Sequence, residues 1–533
     1  MVQISPFTGF RAFGSVAGKF LEQPAKYARL VSYLPDWEGL IQASRDREKR
    51  PNHNALLKEV FTEQLQSFFA KYSKVKEHVE AFSSPSTLTI TTGHQLVLAG
   101  GPAYLYYKIA TVIALSRQLS VLTGNKVVPV FWLASEDHDI EEIKEGNIKG
   151  KSYRWDGNWE GYSGVLPTNL LQDWKSRLIQ ELQQSGAPSY LTERIEKAYA
   201  PDSNLAESTT RFIMDVFGDS GLLVLNPDHP QLKALFATVM QQELEHQSSM
   251  KSMLPVLEEW PEIWENPKLE PQVKPREINL FFLHEKKRLR IIRHEENYFS
   301  AGDLTLGNLS EVLNTLHTAP EKFSPNVVLR PLYQETILPN VAYVGGPGEI
   351  HYWLELKPVF DAFGVFYPVL LPRLSLVVLM EKHLEKWQNL GLTLSDFKED
   401  LSLIQKKQLE KMGDDPVDWE QIIGRMENEY HELRSKVGII DPTLQPGVMA
   451  EMSKTLQGLQ NVKGKLTKAL KVKNETVLRQ SEKIYSEVFP ENTPQERIET
   501  GLGLEWQVGP GFIEKIVSGD VMPGDVNSYL LSY

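Results

Sequence analysis

The chain has 533 residues, of which 41% are apolar and 24% charged, with a formal net charge of −12 and no cysteine. A chain of this length buries a large core in more than one structural unit, its acidic balance opposes broad nucleic-acid binding, and without cysteine any chemistry rests on His, carboxylates, hydroxyls, Lys and Arg. No apolar run approaches the roughly 20 residues that cross a bilayer, and the opening MVQISPFTGFRAF has neither a basic start nor a long apolar centre, so the expectation is a cytoplasmic protein without membrane contact.

In chain order, the first 80 residues carry apolar positions at helical spacing between many charges, as helices wrapped on a sheet would. Thr87 to Lys108 (TLTITTGHQLVLAGGPAYLYYK) then reads as a buried strand, a glycine-rich turn and a helix. Gly93, His94 and Gln95 fall at the carboxyl end of that strand, where ligands bind in open α/β sheets. Gly100 and Gly101 permit tight backbone geometry, and Pro102 suits the first turn of a helix carrying Tyr104 and Lys108, whose start offers N–H donors to an anion. A plain turn with His94 capping the strand is the alternative.

Val127 to Ala134 (VVPVFWLA) is too apolar to alternate and leads straight into Ser135, Glu136, Asp137, His138 and Asp139. A carboxylate beside an imidazole orients it and poises it as a general base. Two other readings stand: helix capping by Asp137 or Asp139 ahead of Glu141 and Glu142, and divalent-metal binding, which adjacent residues of an extended chain rarely achieve. No metal ligands are assigned. Gly221 to Asn226 (GLLVLN) reads as another core strand, with Asp228 beyond it as a turn former or a further candidate.

The segments of about 146–205 and 231–325 lose the strand and helix rhythm and read as insertions. Asn340 to Phe363 (NVAYVGGPGEIHYWLELKPVFDAF) then repeats the strand, Gly-Gly-Pro and helix plan with Gly345, Gly346, Gly348 and Glu349. The glycine spacing is not a dinucleotide fingerprint. Two such turns would place two helix N-termini around one crevice, suited to phosphates or carboxylates. Arg330, Lys357 and Arg373 lie near the strand ends and could add charge, or be ion-paired surface residues. Phe366 to Pro372 would close a parallel set.

Beyond Glu381 the pattern becomes a long helical one. Trp419, Ile423, Met426, Tyr430, Leu433 and Val437 alternate steps of four and three, a coiled-coil seam. A second helix carries Leu459, Val462, Leu466, Leu470, Val477 and Ile484, with lysines at 463, 465, 468, 471 and 473. The pair reads as an antiparallel hairpin, over 381–488, that pairs with a second subunit in a homodimer, or folds back on its own domain. Glu451 to Thr455 (EMSKT) resembles the lysine loop of class I aminoacyl-tRNA synthetases, but its lysine falls inside an amphipathic helix, so the match is set aside.

The blocks TTGHQLVLAGGPAYLYYK, PVFWLASEDHDIEEI, LYQETILPNVAYVGGPGEIHYWLELKPVF and PQERIETGLGLEWQVGPGFIEKI closely resemble the bacillithiol biosynthesis cysteine-adding enzymes, in the same order and over nearly the whole chain. The resemblance implies an α/β fold: a nucleotidyltransferase-like Rossmann core over 1–380 with inserted connecting-peptide regions, a C-terminal α-helical coiled-coil arm used for dimerisation, and a return to the core over 489–533. It implies a carbon–nitrogen ligase that joins cysteine to the amino group of glucosaminyl malate. His94 stands where that family commonly carries a glutamine.

An amide forms only from an activated carboxylate, most simply an acyl adenylate or acyl phosphate made from ATP with Mg²⁺; the residues themselves assign no cofactor. In this reading the two turns hold phosphates or malate carboxylates, Lys108 or Arg373 stabilises developing charge, and one of Glu136, Asp137, His138 or Asp139 takes the proton of the attacking amine. Another nucleotide-dependent transferase of the same fold, and a scaffold with a vestigial pocket, are the competing readings.

Overall fold

The computed structural model describes residues 3–7, 14–294, 298–411, 417–519, 521–525 and 527–533. Of the opening segment read above for a leader, only residues 3–7 are among them. The chain forms two compact units, one of Arg11–Val377 with Thr493–Tyr529, the other of Met1–Phe10, Val378–Asn492 and Leu530–Tyr533.

The first unit is built on five parallel strands: β1 (Leu88–His94), β2 (Val127–Leu133), β3 (Leu223–Leu225), β4 (Asn340–Gly345) and β5 (Val369–Pro372). Their order across the sheet is β5-β4-β1-β2-β3. Both faces are covered, which is why β2 and β4 are buried along their whole length and show no polar alternation. The buried threonines of β1 have partners: Thr89 and Thr91 donate to Asn340 Oδ1 at 3.2 and 2.9 Å, and Thr92 donates to the Val344 carbonyl at 2.8 Å. Pro129 is tolerated inside β2 because β3 begins to pair only at Val130.

Helix α1 (Ala103–Thr123) is apolar nearly all round and buried, as a core helix must be. Its Val112, Leu115 and Leu119 pack with Leu88, Ile90, Val341 and Val344 of the sheet. Leu40 and Ala43 join the same cluster from the N-terminal helix Trp37–Glu48, whose start is capped by Asp36 accepting from Gly39 N–H at 2.7 Å.

Between β2 and β3 lie a hairpin (Glu145–Ile148 with Lys151–Arg154) and helices Gln172–Gln184, Ser189–Ala198 and Leu205–Phe217. Between β3 and β4, helices Pro230–His246 and Ser248–Glu258 precede a second, antiparallel sheet of five strands, running from Leu280–His284 to Phe323–Pro325. That sheet is an addition to the sequence reading. Its longest strand, Lys287–His294, buries only Ile291, so a row of basic residues hides the alternation.

Successive strands from β1 run one way, to β2 and β3, whereas β4 and β5 lie on the other side of β1. The topology reverses between β1 and β4, and the crevice outside their carboxyl ends is where such sheets bind ligands. Helices α2 (Arg330–Ile337) and α3 (Pro347–Glu355) flank β4 and bring their first residues to that crevice.

In the second unit α4 (Trp419–Ile440) and α5 (Gln445–Lys473) form the hairpin, turning at Pro442–Leu444, where Asp441 accepts from Thr443 N–H at 2.9 Å. Tyr430 and Thr455 hydroxyls meet at 2.7 Å across it. α6 (Glu475–Val488) contributes Leu478 to a small core with Leu409 and Leu470. Lys454 lies within α5, exposed and paired with Glu451 at 2.6 Å, not on a loop.

Candidate active site

A cavity of about 470 Å³ opens at the reversal point between β1 and β4. The carboxyl end of β1 supplies Gly93, His94 and Gln95, the start of α1 supplies Tyr104 and Lys108, and the turn after β4 supplies Gly346, Gly348 and Glu349. The Lys108 ammonium is 1% exposed and donates to the Gly93 carbonyl and to Glu349 Oε2, both at 2.6 Å. Glu349 also accepts from the Tyr343 hydroxyl and, at 2.9 Å, from Gly346 N–H. Burial, the largest influence, would raise the Glu349 carboxyl, but the Lys108 charge and the hydrogen bonds from Gly346, Lys108 and Tyr343 together hold the group below its ordinary value. The start of α3 is thus already neutralised by its own third residue, whose carboxylate caps the Gly346 N–H.

The first Gly-Gly-Pro turn does not open onto this cavity, contrary to the expectation for Gly100 and Gly101. Residues 499–501 fill it: Ala103 N–H donates to the Glu499 carbonyl at 2.7 Å and Gly501 N–H to the Gly101 carbonyl at 3.3 Å. Gly100 and Gly101 have φ of +84° and +69°, and a Cβ on Gly100 would stand 2.4 Å from the Phe212 ring. These glycines are required by the turn and by close packing.

His94 Nδ1 lies 3.0 Å from the Gln95 carbonyl and Nε2 lies 3.0 Å from the Tyr104 hydroxyl. A carbonyl only accepts, so Nδ1 carries the proton and Nε2 accepts from Tyr104. Burial, aided by the Lys108 charge, pushes the imidazole down to about 4, so His94 is neutral near pH 7 and is not poised as an acid or base. Gln95 spans two carboxylates, donating to Asp137 Oδ2 at 2.8 Å and to Glu142 Oε2 at 2.6 Å.

The four ionisable residues after β2 separate into different environments. Glu136 turns inward, ion-pairs with the fully buried Lys233 and accepts from Ser324 Oγ at 3.1 Å. Asp139 is exposed; its N–H donates to Asp137 Oδ1 at 3.1 Å and its carboxylate meets Glu142 N–H at 3.4 Å, the capping arrangement. His138 Nδ1 faces the Arg288 guanidinium at 3.4 Å and lies 3.9 Å from Asp137 Oδ1, and burial and Arg288 lower its pKa. Only Asp137 lines the cavity, with Gln95 and the Asp139 N–H fixing both its oxygens. Among the described residues no group of three or more His, Asp or Glu is arranged to hold a metal ion. Asp228, pushed up to about 6 by burial and Glu136, accepts from Tyr162 at 3.3 Å and lines neither this cavity nor the adjoining one.

Arg373 is 3% exposed and grips Glu496 through two hydrogen bonds of 2.9 and 2.6 Å, leaving a buried Nε without a partner. A second cavity of about 420 Å³ adjoins the first, lined by His138, Lys274, Arg276, Phe281, Arg288 and Arg330 among others. Arg288 is held there by Ser324 Oγ at 3.1 Å and the Pro325 carbonyl at 2.6 Å, its guanidinium 4.1 Å from the Phe281 ring centre.

This architecture has known relatives. Residues 12–374 match the family model "Bacillithiol biosynthesis BshC, N-terminal Rossmann-like domain", and residues 376–524 match "Bacillithiol biosynthesis BshC, C-terminal coiled-coil domain". The chain belongs to the BshC family. Proteins named "Putative cysteine ligase BshC" are similar to it along most of their length. The one from Flavobacterium johnsoniae is 34% identical over 91% of each chain, that from Flavobacterium psychrophilum 33% over 95% of this chain and 94% of its own, and that from Cytophaga hutchinsonii 33% over 90% of each.

In this BshC-family chain several cavity residues carried no local signal. Gln272 comes from an irregular insertion segment, Arg288 from a strand of the second sheet, and Arg497 from the segment after the arm. Each reaches the site through tertiary folding across more than a hundred residues. Glu142 had a signal, its spacing from the Asp-His-Asp run, which the sequence assigns equally to capping.

Proposed function

We propose that this chain is the cysteine ligase of bacillithiol biosynthesis, joining L-cysteine to the amino group of glucosaminyl malate, in the cytoplasm and as a homodimer through its helical arm. The observation that carries the residue assignment is the pair of adjoining cavities at the sheet's reversal point, with Asp137 lining both.

The two cavities differ in charge. In the first, Lys108 is neutralised by Glu349 and Arg373 by Glu496, and the remaining guanidinium groups, Arg330 and Arg497, share the lining with the carboxylates of Asp137 and Glu142. In the second, Arg276 and Arg288 form no ion pair with a carboxylate among the described residues, and Glu136 is neutralised by Lys233. The malyl dicarboxylate therefore belongs in the second cavity, where unpaired guanidinium groups gain most from a dianion. The activated cysteine belongs in the first, with Tyr104, Lys108 and the Gly346 turn around it. ATP, as the co-substrate, supplies the activation. The amine attacks the acyl carbon from the second side; as the N–C bond forms, Asp137 takes the proton released from nitrogen. Gln95 and the Asp139 N–H hold that carboxylate in place.

The test is mass spectrometry of small thiols in cells lacking the protein and complemented with variants. Wild type restores bacillithiol; Asp137→Asn lowers it by about 100-fold with accumulation of glucosaminyl malate, whereas His138→Gln, whose native ring faces Arg288, keeps most of it. Unchanged thiols in the deletion strain would remove the ligase reading, and full rescue by Asp137→Asn would remove the base.

A further inference from the structure

Arg330 opens α2 and holds a place unlike that of any other cation in the site. The two cavities share five residues, Trp132, Ala134, Asp137, Gln272 and Arg330, of which one is a carboxylate and one a cation. The other buried cations are committed: Lys108 to Glu349 and the Gly93 carbonyl, Arg373 to Glu496, Lys233 to Glu136. Arg330 makes no ion pair with a carboxylate among the described residues. Its Nη1 donates to the neutral Gln334 side chain at 3.2 Å, the Tyr352 hydroxyl is a second neutral hydrogen-bonding neighbour, its guanidinium lies 5.7 Å from the Tyr343 ring centre, and its Nη2 is buried without a hydrogen-bond partner. A buried guanidinium N–H with no acceptor is a standing cost in the free protein, and an acceptor supplied by a ligand at the junction removes it.

We propose that Arg330 is a catalytic residue of the amide-forming step, donating from its free guanidinium edge to the oxygen on which negative charge develops where the two cavities meet. The assignment rests on the ligase reading above. In the step, the amine nitrogen attacks the acyl carbon of cysteine activated by a nucleoside triphosphate; the N–C bond forms, the bond from carbon to the phosphate oxygen breaks, and the leaving phosphate or nucleotide carries away the electron pair. The proton passes to Asp137. The acyl oxygen is anionic only in between, so a fixed donor at the junction favours the transition state over both reactants.

Arg330→Lys keeps the charge and loses the planar fork; Arg330→Gln keeps a donor and loses the charge. Complementing the deletion strain, both are expected to lower bacillithiol by at least about 50-fold while glucosaminyl malate accumulates. Calorimetric binding of malate to the purified variants is expected to stay within about fivefold of wild type, because Arg276 and Arg288 hold that group. Bacillithiol at the wild-type level with Arg330→Gln overturns the proposal. So does a loss of malate binding that matches the loss of product, which would make Arg330 a ground-state anchor. If Arg330→Gln is unstable in a melting experiment, Arg330→Lys decides. A deletion strain with unchanged thiols instead overturns the ligase reading, and this assignment with it.

Discussion

His94 has the sequence context of a catalytic residue, at the end of a core strand beside a glycine, and the environment of a structural one. Its Nδ1–H goes to the Gln95 carbonyl and its Nε2 accepts from Tyr104, so charging the ring would turn the Tyr104 hydroxyl from donor to acceptor and place a cation in a buried site beside Lys108. With a folded pKa of about 4 against about 6.5 unfolded, the unfolded chain binds the proton first as pH falls. The stability this group contributes is complete above pH 6.5 and is lost as pH falls through 4. Replacing His94 by Gln should flatten the acid limb of stability against pH by on the order of 1–3 kcal/mol between pH 7 and pH 4, measured by urea unfolding of the two proteins in parallel. The same variant should still restore bacillithiol in the deletion strain; complete loss would mean that the imidazole takes part in the chemistry. The Asp137–His138 adjacency is the converse case. The sequence shows the two side by side, but the chain after β2 turns the imidazole toward Arg288 and leaves the carboxylate at the cavities, and no local pattern foretells that division.

At the scale of elements, the five parallel strands and the glycine turns were legible because buried strands leave β-branched runs and tight turns leave glycines. What was not legible is that two turns with the same Gly-Gly-Pro sequence serve different ends. Gly100 needs a positive φ and has the Phe212 ring against it, whereas Gly346 has φ −79° and a Cβ there would meet Glu349 Oε2 and Arg373 Nε at 3.5 and 3.6 Å, ordinary contact distances. Gly100→Ala should therefore destabilise the protein by on the order of 2–4 kcal/mol, lowering the melting temperature. Gly346→Ala should melt within about 1 °C of wild type yet lower bacillithiol in complemented cells about tenfold, because its methyl group enters the cavity. The reverse pattern would place the anion site at the first turn after all. The second sheet escaped the sequence reading for a related reason. With one face open, its strands carry Lys and Arg where a core strand carries Val and Ile, and only Ile291 marks the buried side of the longest one.

At the scale of the molecule, the arm is the part whose purpose the chain alone leaves open. Its seam was legible as a heptad pattern, and α4 and α5 do meet, with Tyr430 against Thr455. Two helices are too few to bury both faces, however, and the hairpin leaves apolar side chains in water: Leu433 is 46% exposed, Ile439 and Ile440 are each 85% exposed, and Val462 is 54% exposed. Burying each such side chain against a second copy would contribute about 1.5–3 kcal/mol, so a handful is enough to hold a dimer at micromolar concentration once the cost of association is met. Since Ile439 and Ile440 are already solvent-exposed, changing both to Glu costs the single chain almost nothing, and the added charges repel across a symmetric interface. Sedimentation velocity should then give a dimer for wild type and a single 60.7 kDa chain for the Ile439→Glu, Ile440→Glu variant, at matched melting temperatures. Wild type sedimenting as one chain would remove the dimer; a variant that stays dimeric would move the interface off the arm, and those exposed residues would then need a different partner.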